Sequence, residues 1–66
     1  MKMNPIEVYE ITYDYCSEEG YEETNIRERY ECDSWKELQE YIKQMRKNGC
    51  YNITATFLYS YRESLL

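Results

Sequence analysis

The chain contains no histidine, a single proline and two glycines. Without an imidazole, acid–base work near neutral pH would fall to a carboxylate or lysine with a displaced pKa. Gly20 and Gly49 stand far apart, so no glycine-rich loop is available to cradle a phosphate. No apolar run approaches the ~20 residues that a membrane-spanning helix needs. The opening MKMNPIEVYE also lacks the apolar core of a secretory signal, and a cytoplasmic protein with no membrane association is the expectation. The three cysteines, Cys16, Cys32 and Cys50, form no C-x-x-C pair, and with no histidine to join them they fall short of four zinc ligands. An odd number also leaves one outside any disulfide framework, so reduced thiols are expected. Together these absences predict a protein that is not an enzyme and carries no cofactor or metal.

Positive charge is missing from one segment in particular. Residues 3–26 hold seven acidic side chains, Glu7, Glu10, Asp14, Glu18, Glu19, Glu22 and Glu23, and no Lys or Arg. The rest of the chain is close to neutral, so this segment accounts for the net charge of −5. A one-signed segment makes a directional field, and its sign favours basic partners over nucleic-acid backbones or anionic membranes.

What is present in excess is tyrosine. Nine tyrosines with one Trp and one Phe make 17% of the residues aromatic, which argues for a folded chain rather than a disordered one. Sixty-six residues make a single domain, residues 1–66, with a thin core, since a chain this small buries only ~60% of its unfolded surface.

Alternation over 6–16 predicts a strand with Tyr9, Ile11, Tyr13 and Tyr15 on one face and Ile6, Val8, Glu10, Thr12 and Asp14 on the other. A polar turn, Ser17-Glu18-Glu19-Gly20, leads into a second strand over 22–32. That strand sets Ile26, Tyr30 and Cys32, interrupted by Glu28, against Arg27, Arg29 and Glu31. Ser34-Trp35-Lys36-Glu37 fits a capping box, and Trp35, Leu38, Tyr41, Ile42 and Met45 continue from it as one apolar stripe. Lys43, Arg46 and Lys47 suit the negative end of a helix dipole and Gly49 a left-handed stop, which predicts a helix over 35–47. Residues 51–61 then alternate, with Tyr51, Ile53, Ala55, Phe57, Tyr59 and Tyr61 apolar on one face. The remaining Glu63-Ser64-Leu65-Leu66 is too short to assign.

The predicted fold class is therefore α+β, a two-layer ββαβ unit. Its three-stranded antiparallel or mixed sheet has order 2-1-3, with the helix on one face only. The expected core is the helix stripe against Tyr9, Ile11, Tyr13, Ile26, Tyr30, Ile53, Ala55 and Phe57. This order brings Cys16 and Cys50 to one end of the sheet, where contact between them is expected to be geometrically open.

Exposed tyrosine favours protein interfaces, because it buries a large area at low entropic cost. Tyr15, Tyr21, Tyr59 and Tyr61 fall beyond the reach of a thirteen-residue helix and are expected beside the acidic turn. With Glu18, Glu19, Glu22 and Glu23 they form the predicted contact surface for a basic protein. Small, acidic, histidine-free single-domain proteins occur among the inhibitors that phage and mobile elements direct at host nucleic-acid enzymes, and the chain resembles these in size and composition. An acidic protein-binding inhibitor that imitates nucleic acid is the leading expectation, an anti-defence role among its forms. A homodimer or larger assembly through sheet edges is a second reading. Weak single-stranded nucleic-acid binding through tyrosines is a third, although the helix should cover most of them.

Overall fold

The computed structural model describes residues 5–62, and the C-terminal residues 63–66 lie outside that range. Within it the element order is β1 (Ile6–Cys16), β2 (Glu22–Cys32), α1 (Trp35–Lys47) and β3 (Cys50–Tyr61). The sheet has order β2-β1-β3, and β1 pairs antiparallel with both neighbours. The ββαβ expectation is met, with every adjacent strand pair antiparallel.

The helix begins as its sequence dictates. Ser34 is extended and its hydroxyl accepts from the Glu37 backbone N–H at 3.2 Å, which satisfies one of the orphan donors of the first turn. The Glu37 carboxylate instead accepts from the Tyr30 hydroxyl at 3.5 Å. At the other end Arg46 and Lys47 occupy the last turn, and Gly49 takes a φ of +96°. A β-carbon at Gly49 would collide with the carbonyl oxygen of Cys16, so only glycine lets the chain turn this close to β1.

Leu38 and Met45 pack on Tyr9, Ile11 and Cys32 to form the core, with Tyr13, Tyr30, Tyr41, Ile42, Cys50, Ile53 and Ala55 around it. Three expected core residues depart from this, and one of them, Ile26 on edge strand β2, is half-buried outside the cluster. Trp35, in the first helical turn, is 59% exposed, and Phe57 meets only the edge of the Tyr9 ring on one side while remaining half open. The molecule is a rod of 48 × 18 × 18 Å. Strands of eleven and twelve residues outrun a thirteen-residue helix, because a strand rises ~3.3 Å per residue and a helix 1.5 Å.

Strand β3 departs from simple alternation. Its register against β1 slips twice, between Val8 and Tyr9 and between Thr12 and Asp14. At the first slip Leu58 is an extra residue without a β1 partner, and at the second the extra residue is Asn52, whose φ is +53°. Each slip moves the residues beyond it to the other face. Tyr51 therefore joins Asp14, Tyr59 joins Val8 and Tyr61 joins Ile6, on the face opposite the helix. The expectation that all odd positions of β3 share the helix face is corrected for these three. It holds for Ile53, Ala55 and Phe57.

A matching slip on β2 lies between Tyr13 and Tyr15, where Asn25 adopts a φ of +56°. Asp14 thus sits on the central strand between two irregular neighbours and bonds to both. It accepts from the Asn25 backbone N–H and from the Asn52 side-chain amide, each at 2.9 Å. These bonds, the Asn52 amide foremost, hold the Asp14 carboxyl below its ordinary pKa. One acidic residue of the charged segment is thereby committed to the fold.

Candidate protein-contact site

The hairpin turn that carries the acidic tip is held by three short bonds. Ser17 N–H donates to the Tyr21 carbonyl at 2.8 Å, and Gly20 N–H to the Ser17 carbonyl at 3.1 Å. The Ser17 hydroxyl accepts from Tyr21 N–H at 2.9 Å. Gly20 supplies the left-handed residue this closure needs, with a φ of +93°. Glu18, Glu19, Glu22 and Glu23 are all exposed around it, and Tyr21 is 61% exposed. The Tyr21 ring lies 6.5 Å from that of half-buried Tyr15.

The eight predicted contact residues do not form one surface. Tyr59 and Tyr61 pair with Val8 and Ile6, at the opposite end of β1 from the turn beyond Cys16. Eight strand steps from Val8 to Cys16 put roughly 26 Å between the two groups. At that far end Tyr59 and Tyr61 lie ring to ring at 6.3 Å, and the Tyr61 hydroxyl donates to Glu31 at 2.6 Å across β1. Val8 sits between Glu31 and Tyr59 and is only 1% exposed, although it faces away from the helix. The two tyrosines close a second, smaller apolar site on the face expected to be bare. Of the predicted contact residues, the structure brings together Glu18, Glu19, Tyr21, Glu22 and Glu23 at the turn, with Tyr15 behind.

Cations do little to neutralise these carboxylates. The one ion pair among the described residues joins Arg27 Nε to Glu10 Oε2 at 3.9 Å, with Arg27 largely exposed, which contributes little. Arg46 and Lys47 line a cleft of about 370 Å³ with Glu18, without reaching ion-pair distance. Tyrosine hydroxyls serve the carboxylates instead. Tyr9 donates to Glu7, Tyr21 to Glu23, Tyr30 to Glu37, Tyr41 to Glu28, Tyr51 to Glu22 and Tyr61 to Glu31. A hydroxyl donor leaves its carboxylate charged, so the acidic field survives the pairing. The excess of tyrosine and the excess of glutamate have a common structural use.

Burial raises the pKa of Tyr9, Tyr13 and Tyr30, and the bond to Glu28 raises that of Tyr41 most. The Glu23 bond, and for Tyr51 partial desolvation and the Glu22 charge, raise Tyr21 and Tyr51 in the same direction. Burial pushes the thiols of Cys32 and Cys50 up, which makes them less reactive. All three cysteines are free. Cys50 pairs with Tyr15, so Cys16 and Cys50 point to opposite faces of the sheet, and the contact that the sheet order left open is not made. Among the described residues no three thiols or carboxylates converge as a metal would require, and no helix is long and apolar enough to cross a membrane.

The sequence pattern placed Phe57 and Trp35 in the core, and both are open. A signal existed for Phe57, since 50–61 is a strand free of charged residues in a chain where 32% of residues are charged. No family model matches the chain, and no curated protein or solved structure matches it.

Proposed function

We propose that this protein is a non-enzymatic binding module that engages a basic protein through its acidic hairpin tip, acting as an inhibitor of a nucleic-acid-handling partner. The observation that carries this reading is the set of four exposed carboxylates on a well-bonded turn with no cation at ion-pair distance among the described residues. A preformed turn loses little entropy on docking, and an uncompensated acidic end steers a basic partner to it.

Magnitudes restrict the form of mimicry. Duplex DNA carries one negative charge per ~1.7 Å of axis. A net charge of −5 spread over a 48 Å rod is about sixfold sparser than that. Imitation of a duplex along the whole rod is therefore disfavoured, and any mimicry would concentrate at the tip, where four exposed carboxylates fall within six residues.

Reversal of Glu18 and Glu19 to Lys tests the proposal without touching any hydrogen bond of the turn, and reversal of Glu22 and Glu23 extends it. Affinity capture followed by mass spectrometry should recover a basic nucleic-acid-handling protein with the native chain and lose it with the Glu18/Glu19 variant. Equal capture by both, with far-ultraviolet circular dichroism unchanged, would remove the tip from the contact.

A further inference from the structure

The two edges of the sheet are unequal. Edge strand β2 carries six charged side chains, Glu22, Glu23, Arg27, Glu28, Arg29 and Glu31, whereas edge strand β3 carries none from Cys50 to Tyr61. Charges and prolines are the usual guards against strand addition, and β3 has neither. It also holds Phe57 at 53%, Tyr59 at 47% and Tyr51 at 40% exposure.

The residues of β3 read nearly the same in both directions about Ala55. Thr54 and Thr56 flank it, then Ile53 and Phe57, then the irregular positions Asn52 and Leu58, then Tyr51 and Tyr59. The symmetry extends to the faces. Ile53, Ala55 and Phe57 lie on the helix side, Thr54 and Thr56 on the other, and the two slips move Tyr51 and Tyr59 together onto the threonine side. Such a strand is complementary to itself in antiparallel pairing. With a two-fold axis at Ala55, Ile53 meets Phe57 of the second copy, Thr54 meets Thr56, and Tyr51 meets Tyr59. Aromatic–β-branched and Thr–Thr pairs are both favourable across strands.

We propose that β3 is a homodimer interface, joining two copies edge to edge about Ala55 into a six-stranded sheet of order 2-1-3-3-1-2. Three further considerations favour a second copy over a foreign chain. A basic partner would be drawn to the acidic tip, whereas a neutral strand is where two chains of charge −5 approach with least repulsion. The exposed surface of Phe57, Tyr59 and Tyr51 amounts to about 600 Å² for a pair of copies. Leu58, the threonines and the backbone add to that, toward the ~1,000 Å² at which stable interfaces begin. An axis normal to the sheet keeps both helices on one face. With α1 over β1, strand spacing sets the helices about 14 Å apart, which leaves a trough for the Ile53–Phe57 pairs. The charged β2 strands become the only edges.

Sedimentation velocity of the native chain at micromolar concentration is expected to give twice the 8.2 kDa chain mass. Thr54→Lys with Thr56→Lys places like charges opposite each other across the axis and should weaken dimerisation at least tenfold. Thr54→Lys with Thr56→Glu places opposite charges there and should keep the dimer. Both threonines are exposed, so circular dichroism should report an unchanged fold. A monomeric native chain would overturn the interface. Equal dimerisation by the two double variants would overturn the pairing about Ala55. Neither measurement depends on the acidic tip or its partner.

Discussion

Removing the Tyr41 hydroxyl gives the sharpest test of how carboxylates are accommodated in this fold. Glu28 lies on the helix face of β2, opposite fully buried Ile11, where its charge is out of place by alternation alone. The Tyr41 hydroxyl donates to its Oε1 at 2.6 Å, and the Tyr41 ring stacks on Tyr30 at 4.1 Å and 8°. Tyr41→Phe keeps that stacking and deletes only the donor. A hydrogen bond to a charged group contributes ~1.5–3 kcal/mol, and a half-buried pair belongs in the lower part of that range, about 1.5–2 kcal/mol. A domain this small has a total stability of only ~3–5 kcal/mol. With a urea slope of ~1 kcal/mol per molar, the unfolding midpoint should fall by roughly 1.5–2 M. Tyr30→Phe, whose hydroxyl sits 3.5 Å from exposed Glu37, should shift it far less. Glu28→Leu added to Tyr41→Phe removes both partners and should recover much of the loss, a coupling readable from a double-mutant cycle. A Tyr41→Phe midpoint within experimental scatter of the native one, or equal losses for Tyr41→Phe and Tyr30→Phe, would refute the reasoning.

The raised tyrosine pKa values also predict loss of stability in alkali. A folded-state pKa above the unfolded ~10 means that the folded chain holds the proton more tightly. That contribution is full below about pH 10 and disappears as pH rises through the elevated values. Melting temperature should be level from about pH 7 to 8, begin to decline near pH 9 as the unfolded thiols of Cys32 and Cys50 ionise, and fall steeply above 10 in step with tyrosinate absorbance; a level profile through about pH 11 would contradict it. The two glycines should also separate. Gly20→Ala has open space and should lose only the ~1 kcal/mol of a left-handed residue, whereas Gly49→Ala adds a collision with the Cys16 carbonyl and should lose at least twice that. Equal losses in thermal unfolding would count against the close approach of that turn to β1.

The elements were legible because their signals are local. Ser34, the 3.6-residue stripe and Gly49 bound the helix at Trp35–Lys47, and alternation located each strand. The faces of β3 were not legible, because one extra residue reverses every side chain after it without altering composition. Asn25 and Asn52, a residue type that tolerates positive φ, were the only local hints. The split of the predicted contact surface has the same topological origin. β3 starts beside the acidic turn and runs away from it, which takes Tyr59 and Tyr61 to the far end. Glu28 read as a flaw in an apolar face because its donor lies thirteen residues away on another element.

The use of hydroxyls in place of cations to serve carboxylates also decides how ionic strength acts on the chain. Ion pairs fade as salt screens them, over a Debye length of ~8 Å at physiological strength, but a tyrosine–glutamate bond has no cation to screen. What salt does screen is the mutual repulsion of thirteen acidic side chains against eight basic ones. Added salt therefore firms the folded state and quiets the field at the hairpin tip together, so a single solution variable pulls durability and long-range attraction in opposite directions.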